Sequence, residues 1–331
     1  MAETISAGIA LIERAAADLA RVRQEIARVI VGQDEVIEGV LICLIAGGHV
    51  LLEGVPGLGK TTLLRTLARV LALQYSRIQF TPDLMPGDIV GSVIMDDEHG
   101  HKSFRFQPGP IFANLVLADE INRATPKTQS ALLEAMQERT VTSGSTTYTL
   151  ETPFLVMATQ NPIEMEGTYP LPEAQLDRFL MKILVNFPSR SDLSRIVDLT
   201  TKDDEAELRQ VLDRSQIAGL KTAARQVIVA PHVQDYAIEL VMATQPGITG
   251  APEITNKYIR YGSSPRGAQA LVECGRVLAL MRGRLHLSLE DVTAVASAVL
   301  RHRIILNFDA HADGYSTESI LRKILEDASE A

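Results

Sequence analysis

Apolar residues recur along the chain with two different spacings, one typical of helices and one typical of buried strands. Near the N-terminus they lie three or four residues apart with charged residues between them, which is the stripe of an amphipathic helix. The positions of this stripe are Ile12, Ala16, Leu19, Val22, Ile26 and Val29. We therefore expect residues 1–30 to form a helix that packs one face against the rest of the protein.

Short β-prone runs alternate with helical segments between about residues 50 and 187. Five of these runs predict strands, at Val50–Leu52, Arg77–Phe80, Leu115–Ala118, Phe154–Ala158 and Lys182–Val185. Several are apolar at consecutive positions, as strands covered by helices on both faces must be. The pattern indicates a three-layer α/β domain with a parallel sheet at residues 31–188.

Helical signals dominate after Pro188, and no further strand is predicted there. Ser288 and Asp291 form an S-x-x-D capping box before an apolar helix, and Ser264 precedes a proline in the first turn of another helix. We expect residues 189–331 to form a smaller, mainly helical domain.

Composition excludes some classes of protein. The chain has 331 residues, of which 46% are apolar, so it can bury a full core, while a net charge of -9 disfavours a broad nucleic-acid surface. The N-terminus does not have the pattern of a secretory signal, and no apolar run reaches the ~20 residues of a membrane helix. We expect a cytoplasmic protein without a membrane span.

A glycine-rich segment follows the first predicted strand and precedes an apolar-periodic helix. It fits the P-loop (Walker A) pattern G-x-x-x-x-G-K-T and continues into the helix, with the residues Gly54, Val55, Pro56, Gly57, Leu58, Gly59, Lys60, Thr61 and Thr62. Such glycines let backbone N–H groups turn towards phosphate oxygens, and the helix N-terminus adds its dipole. We expect Lys60 to reach the β and γ phosphates of ATP and Thr61 to ligate Mg²⁺.

Two carboxylates, Asp119 and Glu120, end the wholly apolar strand predicted at Leu115–Ala118. A strand of this kind beside the P-loop strand is typical of a Walker B element. We expect Asp119 to hold Mg²⁺ through water and Glu120 to orient and polarise the attacking water as a general base. The pair therefore indicates hydrolysis of ATP rather than binding alone.

A polar amide follows the next predicted strand, where Asn161 precedes Pro162. Ligands bind at the carboxyl edge of such sheets, so Asn161 is a candidate for sensing the γ-phosphate and positioning water. An Asn-Pro turn needs no function, and from the residues alone both interpretations stay open.

The assembled motifs resemble the MoxR family of AAA+ ATPases from about residue 31 to residue 266. The stretches that carry the resemblance are Asp119–Ala124, Ala158–Pro162 and Glu166–Phe179. The resemblance implies a P-loop core at residues 31–188 and a helical lid domain at residues 189–331.

The resemblance also implies roles for individual residues. Asn161 takes the sensor 1 role, Arg178 is the arginine finger that reaches a neighbouring subunit's ATP, and Arg266 takes the sensor 2 role. Val31 and Gly32 resemble the segment that lines the adenine pocket. A positive charge in the first turn of a helix is poorly placed for the helix dipole, which favours a phosphate partner for Arg266.

Two insertions match the wider group to which the family belongs. About thirty residues, 82–110, separate the second strand from the Walker B strand, which is long for such a connection, and they contain a hairpin-like stretch. A second hairpin is predicted at residues 140–153, around a turn at Gly144. They look like the helix 2 insert and the pre-sensor 1 hairpin, which would move against a client.

The resemblance implies a homo-oligomeric ring, which we expect to be a hexamer, that hydrolyses ATP to ADP and phosphate to remodel or mature a protein client. A protein with a von Willebrand factor A domain is a candidate partner. The identity of the client stays open, as does the question of whether Arg123 contacts the neighbouring subunit.

Three alternative functions share parts of this pattern. The ATPase subunit of magnesium chelatase is the nearest rival and would imply a metal-insertion partner. A DNA-translocating motor shares both insertions but should carry Lys or Arg on its hairpin, and residues 140–149 contain neither. A non-catalytic scaffold would lack Glu120, Asn161 or Arg178, and all three are present.

Overall fold

A computed structural model describes residues 2–98, 101–162, 167–201 and 207–330 of the chain. They divide into two compact units. The first, here called the sheet unit, is formed by Arg21–Phe179 and Ile183–Ile217, and the second, the helical unit, by the remaining described residues. Glu166 of the third family-like stretch and residues 99–100 of the predicted insert lie outside the described residues. The domain boundaries predicted at residues 30 and 188 stay predictions.

Helices and strands alternate in the first half of the chain, and helices dominate the second. The strands are β1 (Val50–Glu53), β2 (Tyr75–Gln79), β3 (Gly91–Glu98), β4 (His101–Pro108), β5 (Leu115–Asp119), β6 (Thr140–Ser143), β7 (Thr146–Thr149), β8 (Leu155–Gln160), β9 (Met181–Leu184), β10 (Ile259–Tyr261) and β11 (Ile305–Leu306). The helices are α1 (Ala2–Ile26), α2 (Asp34–Ala46), α3 (Lys60–Val70), α4 (Pro86–Val90), α5 (Pro126–Glu138), α6 (Glu173–Leu176), α7 (Arg190–Thr200), α8 (Arg214–Gln226), α9 (Pro231–Ala243), α10 (Glu253–Tyr258), α11 (Pro265–Met281), α12 (Leu289–Leu300), α13 (Phe308–Ala312) and α14 (Thr317–Glu330).

A five-stranded sheet with the order β2-β5-β8-β1-β9 confirms the predicted parallel α/β core. The pairs β2–β5, β5–β8 and β1–β8 are parallel, and each of the five predicted strands overlaps an observed one. Residues Leu115–Ala118 of β5 and Leu155–Thr159 of β8 are buried without interruption. These strands lie inside the sheet and are covered on both faces, which explains why their sequences do not alternate.

The parallel arrangement brings the carboxyl ends of β1, β5 and β8 to one edge of the sheet, where ligands bind in open α/β folds. The edge strand β2 pairs with β5 in a register that places Arg77 beside Leu117 and Gln79 beside Asp119. The polar side chains of β2 therefore end next to the acidic end of β5.

Two hairpins lie in the segments where insertions were predicted. In the β3–β4 hairpin Met95 faces Phe104 and Val93 faces Phe106, and β6 pairs with β7 around Gly144. Phe106 stacks on Tyr148 of β7 with ring centroids 4.1 Å apart and an angle of 16° between the rings. Aromatic packing therefore joins the two hairpins.

The helical unit contains two helix caps that the sequence predicted. Ser288 accepts a hydrogen bond from the Asp291 N–H at the start of α12, and Ser264 accepts one from the Arg266 N–H at the start of α11. The prediction that no strand follows Pro188 is wrong, because β10 and β11 form a short antiparallel pair. Strands of three and two residues are too short to show an apolar period. Among the described helices, none combines the length and the apolar character needed to cross a bilayer.

Candidate nucleotide-binding site

The loop between β1 and α3 has a backbone that requires glycine at two positions. Gly59 has a φ of +75° immediately before α3 begins at Lys60, a left-handed conformation that favours glycine. Gly54 lies against Val185, and a Cβ atom at residue 54 would come within 2.6 Å of the Val185 carbonyl oxygen. The first N–H groups of α3 have no partner within the helix, and they carry the positive end of its dipole. The loop and helix start are therefore suited to bind an anion.

Lys60 extends back over this loop, where its Nζ donates a hydrogen bond to the Gly54 carbonyl oxygen at 2.8 Å. Burial lowers the pKa of the Lys60 ammonium, and the nearby carboxylates of Asp119 and Glu120 act in the opposite direction. A partly desolvated cation attracts an anionic group more strongly than an exposed one does. Lys60 is therefore placed to bind a phosphate.

Both carboxylate oxygens of Asp119 accept hydrogen bonds. Oδ1 accepts from the Thr159 hydroxyl at 2.7 Å. Oδ2 accepts from Arg77, whose Nη2 lies at 2.7 Å and whose Nε lies at 3.2 Å. The carboxylate is therefore held from two neighbouring strands, β2 and β8.

Glu120 follows β5 with φ of +57° and ψ of 51°, which is the left-handed helical region. This conformation costs a residue other than glycine roughly 1–2 kcal/mol, and such strain clusters at functional sites. The Glu120 N–H donates to the Thr159 hydroxyl at 2.8 Å. Its Oε2 accepts from Gln79 Nε2 and from Arg123 Nη1, each at 2.9 Å. The turn at Glu120 thus places two adjacent carboxylates in one site with different partners.

One cavity of about 240 Å³ collects these groups at the edge of the sheet. It is lined by Gly54, Pro56, Gly57, Leu58, Gly59, Lys60, Thr61, Arg77, Gln79, Asp119, Glu120, Thr159, Gln160 and Asn161. The hydroxyl of Thr61 and the carboxylates at the end of β5 give it oxygen donors, the ligand type that Mg²⁺ takes together with substrate phosphates. The donor set therefore fits Mg²⁺.

Comparisons with known proteins identify the family. Residues 49–181 match the model of the ATPase family associated with various cellular activities (AAA), and residues 251–324 match the AAA lid domain. The chain is 44% identical over 326 residues to Chaperone MoxR1 of Mycobacterium tuberculosis, an alignment that covers 98% of this chain and 84% of that protein. The chain belongs to the MoxR family of AAA+ ATPases.

Further relatives agree with this assignment. Protein MoxR of Methylorubrum extorquens is 38% identical over 304 residues, which cover 87% of each chain. The crystal structure of a putative ATPase from Cytophaga hutchinsonii is 41% identical, covers 98% of each chain and superposes with a TM-score of 0.91. These matches confirm the predicted resemblance to the MoxR family and the predicted AAA+ core followed by a helical lid domain.

The structure brings most of the predicted MoxR site residues together. Lys60, Thr61, Asp119, Glu120 and Asn161 all line the one cavity, with the glycines of the P-loop. Two members of the predicted P-loop set, Val55 and Thr62, do not line it.

Four other predicted residues lie outside this cavity. Arg178 is half-buried in the turn after α6 and does not line the cavity. Arg266 is in the first turn of α11 in the helical unit. Gly32 lines a second cavity of about 400 Å³ with Asp192. Val31, the preceding residue, is buried and does not line that cavity.

Four residues that line the cavity were not predicted from the sequence: Arg77, Gln79, Thr159 and Gln160. Arg77 and Gln79 flank the buried Ile78 and therefore share one face of β2 near its carboxyl end, which was a detectable signal. The question of whether Arg123 contacts a neighbouring subunit stays open, but within its own chain Arg123 forms an ion pair with Glu120.

Proposed function

We propose that this MoxR-family protein binds ATP together with Mg²⁺ and hydrolyses it to ADP and phosphate. The observation that carries the proposal is the convergence of Lys60, Thr61, Asp119, Glu120 and Asn161 on one cavity. They come from the ends of two parallel strands, β5 and β8, and from the start of the helix that follows β1, so an extended triphosphate can contact all of them. The matches to AAA ATPase models support the same activity.

The phosphate groups bind to the P-loop. Backbone N–H groups at the start of α3 and the Lys60 ammonium neutralise the β and γ phosphates. Thr61 would ligate Mg²⁺, and Asp119 would hold it through water. A bound Mg²⁺ would supply positive charge against the negative charge that develops as the terminal phosphoryl group is transferred.

Glu120 acts on the attacking water. Its carboxylate takes a proton as the water oxygen forms a bond to the γ phosphorus and the bond to the β–γ bridging oxygen breaks, which releases ADP. The two hydrogen bonds from Gln79 and Arg123 both end on Oε2. In this proposal Oε1 is the oxygen that faces the water, and Asn161 supplies a second polar group at the γ-phosphate.

The test separates binding from turnover. Lys60→Ala should abolish detectable binding of Mg-ATP in isothermal titration, because it removes the cationic contact to the phosphates. Glu120→Gln keeps the shape of the side chain but cannot take the proton, so it should bind ATP and lose about 10²- to 10⁴-fold in phosphate release. Lys323→Ala, an exposed lysine on α14, is the matched control and should behave like the parent. If both site variants bound and hydrolysed ATP like the parent, the proposal would be wrong.

We also propose that the ATPase cycle serves a protein client and takes place in a ring, which we expect to be hexameric. The name of the relative Chaperone MoxR1 supports a client, and the family resemblance supports a von Willebrand factor A domain protein as a partner. Arg178 lies outside the cavity of its own chain, which agrees with a role at a neighbour's ATP. A finger supplied in trans requires a head-to-tail interface, and such interfaces close into rings.

A further inference from the structure

Arg77 is hydrogen-bonded to Asp119, the carboxylate expected to hold Mg²⁺, although Arg77 is not part of any of the nucleotide-binding motifs. Its guanidinium donates twice to Asp119 Oδ2, from Nη2 at 2.7 Å and from Nε at 3.2 Å. The other carboxylate oxygen, Oδ1, is held by the neutral Thr159 hydroxyl. The carboxylate expected to hold Mg²⁺ therefore already has a cation at one oxygen.

We propose that Arg77 is a reversible competitor of Mg²⁺ at Asp119 and sets the Mg²⁺ concentration at which the site loads. The inference rests on the proposed function. Two cations close to one carboxylate repel each other, whether the metal is held directly or through water. Withdrawal of the Arg77 guanidinium therefore favours binding of Mg²⁺ at Asp119.

The position of Arg77 makes this withdrawal reversible. It lies on the edge strand β2, and 48% of its side chain is exposed in the ion pair with Asp119. Exposed ion pairs contribute little net stability because water solvates both partners when they separate. A competition of this strength should change the apparent affinity for Mg²⁺ by about two- to fivefold.

The same arginine also orients Gln79. Arg77 Nη2 donates to Gln79 Oε1 at 2.6 Å, and a guanidinium can only donate. The Gln79 amide therefore presents its NH₂ group to Glu120, whose Oε2 accepts at 2.9 Å. When Arg77 withdraws from Asp119, the Gln79 amide loses this constraint. Binding of Mg²⁺ at Asp119 is thus linked to the orientation of Glu120, the carboxylate that acts on water. Arg77 is a positioning residue for both carboxylates.

The experiment measures binding of a slowly hydrolysed fluorescent ATP analogue to the full chain as a function of free Mg²⁺. Arg77→Gln should reach half-maximal binding at about two- to fivefold lower Mg²⁺ than the parent. Arg77→Lys retains a cation that reaches Asp119 and should stay within about twofold of the parent. Titration with Mn²⁺, followed by electron paramagnetic resonance, reports metal binding directly. It should rank the metal affinities of the parent and the two variants in the same order.

Arg69→Gln is the control, because it removes an exposed arginine from the last turn of α3, at the opposite end of the helix from the P-loop, with the same change in net charge. It should leave the Mg²⁺ requirement unchanged. If Arg77→Gln fails to fold, Arg77→Met removes the charge with similar bulk and should shift the requirement in the same direction.

Two contrary results have different meanings. A parent that responds to Mg²⁺ and an Arg77→Gln variant that needs as much Mg²⁺ or more would overturn the role of Arg77 alone. A parent whose nucleotide binding does not depend on Mg²⁺ would overturn the proposed function and this inference with it.

Discussion

The hydroxyl group of Thr159 donates a hydrogen bond to Asp119 Oδ1 at 2.7 Å. The hydroxyl oxygen of Thr159 also accepts a hydrogen bond from the backbone N–H of Glu120 at 2.8 Å. Thr159 is buried near the end of β8, beside the acidic end of β5. One buried atom therefore orients the first carboxylate and supports the left-handed backbone of the second.

Replacement of this hydroxyl should impair turnover more than binding. Thr159→Val has nearly the same shape but leaves the Glu120 N–H without its acceptor, which should lower the free energy of unfolding by about 1–3 kcal/mol. Because Asp119 and Glu120 lose their common support, we expect phosphate release to fall about 10- to 100-fold. Thr159→Ser retains the hydroxyl and is the matched control. Urea denaturation and a phosphate-release assay check both effects, and parent-like turnover in Thr159→Val would contradict the role given to this bridge.

Arg178 should act on the ATP of a neighbouring subunit. Arg178→Ala should bind ATP but hydrolyse it roughly 10³- to 10⁵-fold more slowly, which is the range for arginine fingers. Lys60→Ala should be inactive because its own pocket cannot bind ATP. In a mixture, the intact pocket of an Arg178→Ala subunit can meet the intact finger of a Lys60→Ala subunit, so part of the activity should return.

Subunit exchange in the mixture must be verified independently, for example by fluorescence energy transfer between labelled variants. Parent-like activity in Arg178→Ala alone would remove the finger assignment. A mixture that exchanges subunits and stays as inactive as its components would contradict action in trans.

His49 should make the stability of the sheet unit depend on pH. It is buried, its Nδ1 accepts from the Val156 N–H and its Nε2 donates to the Met136 carbonyl oxygen, so the folded protein holds it neutral. Burial lowers the pKa of His49 to about 4, against about 6.5 in an unfolded chain. The unfolded state therefore binds more protons below pH ~6.5, and the stability contributed by neutral His49 is lost as the pH falls from about 6.5 to 4.

The size of this effect follows from the shift in pKa. At 1.36 kcal/mol per unit, the loss should total about 3 kcal/mol across that window. Urea denaturation of the parent and of His49→Gln at several pH values measures it. The variant should be less stable at pH 7.5 and should lose less stability on acidification. Parallel pH profiles for the two proteins would show that another group is responsible.

The ring stack between Phe106 and Tyr148 should couple the two hairpins energetically. Aromatic pairs contribute about 0.5–1.5 kcal/mol beyond the area they bury. A double-mutant cycle with Phe106→Ala and Tyr148→Ala, measured by urea denaturation, should return a coupling energy in this range. Tyr148→Phe keeps the ring and should retain most of it. If the losses in the free energy of unfolding of the two single variants simply add up in the double variant, the stack does not couple the hairpins.

The motifs that could be predicted from the sequence are those whose residues are close together in the chain. The P-loop requires a strand, a turn and a helix start within about ten residues, and Glu120 follows directly on Asp119. The long apolar run of β5 and the capping box at Ser288 are equally local. In each case the physical cause lies within one or two turns of backbone, so the local pattern contains enough information.

The contacts of Arg77 and Gln79 could not be predicted in this way. They join residues about forty positions apart, and they depend on the order of strands in the sheet, which places β2 beside β5. The apolar pattern of a strand indicates that it is buried but not which strand lies next to it. Thr159 is a similar case, because its partners follow from the register that pairs Ala118 with Ala158.

The aromatic stack between the hairpins has a mechanical meaning. The β3–β4 hairpin leads directly into β5, which ends in Asp119, and the β6–β7 hairpin leads directly into β8, which ends before Asn161. Because Phe106 and Tyr148 pack together, a load on either hairpin is shared with the other. The two hairpins therefore form one packed unit, and each continues into a strand that ends at the proposed site. A displacement of this unit would reach the two carboxylates and Asn161 along the same two strands.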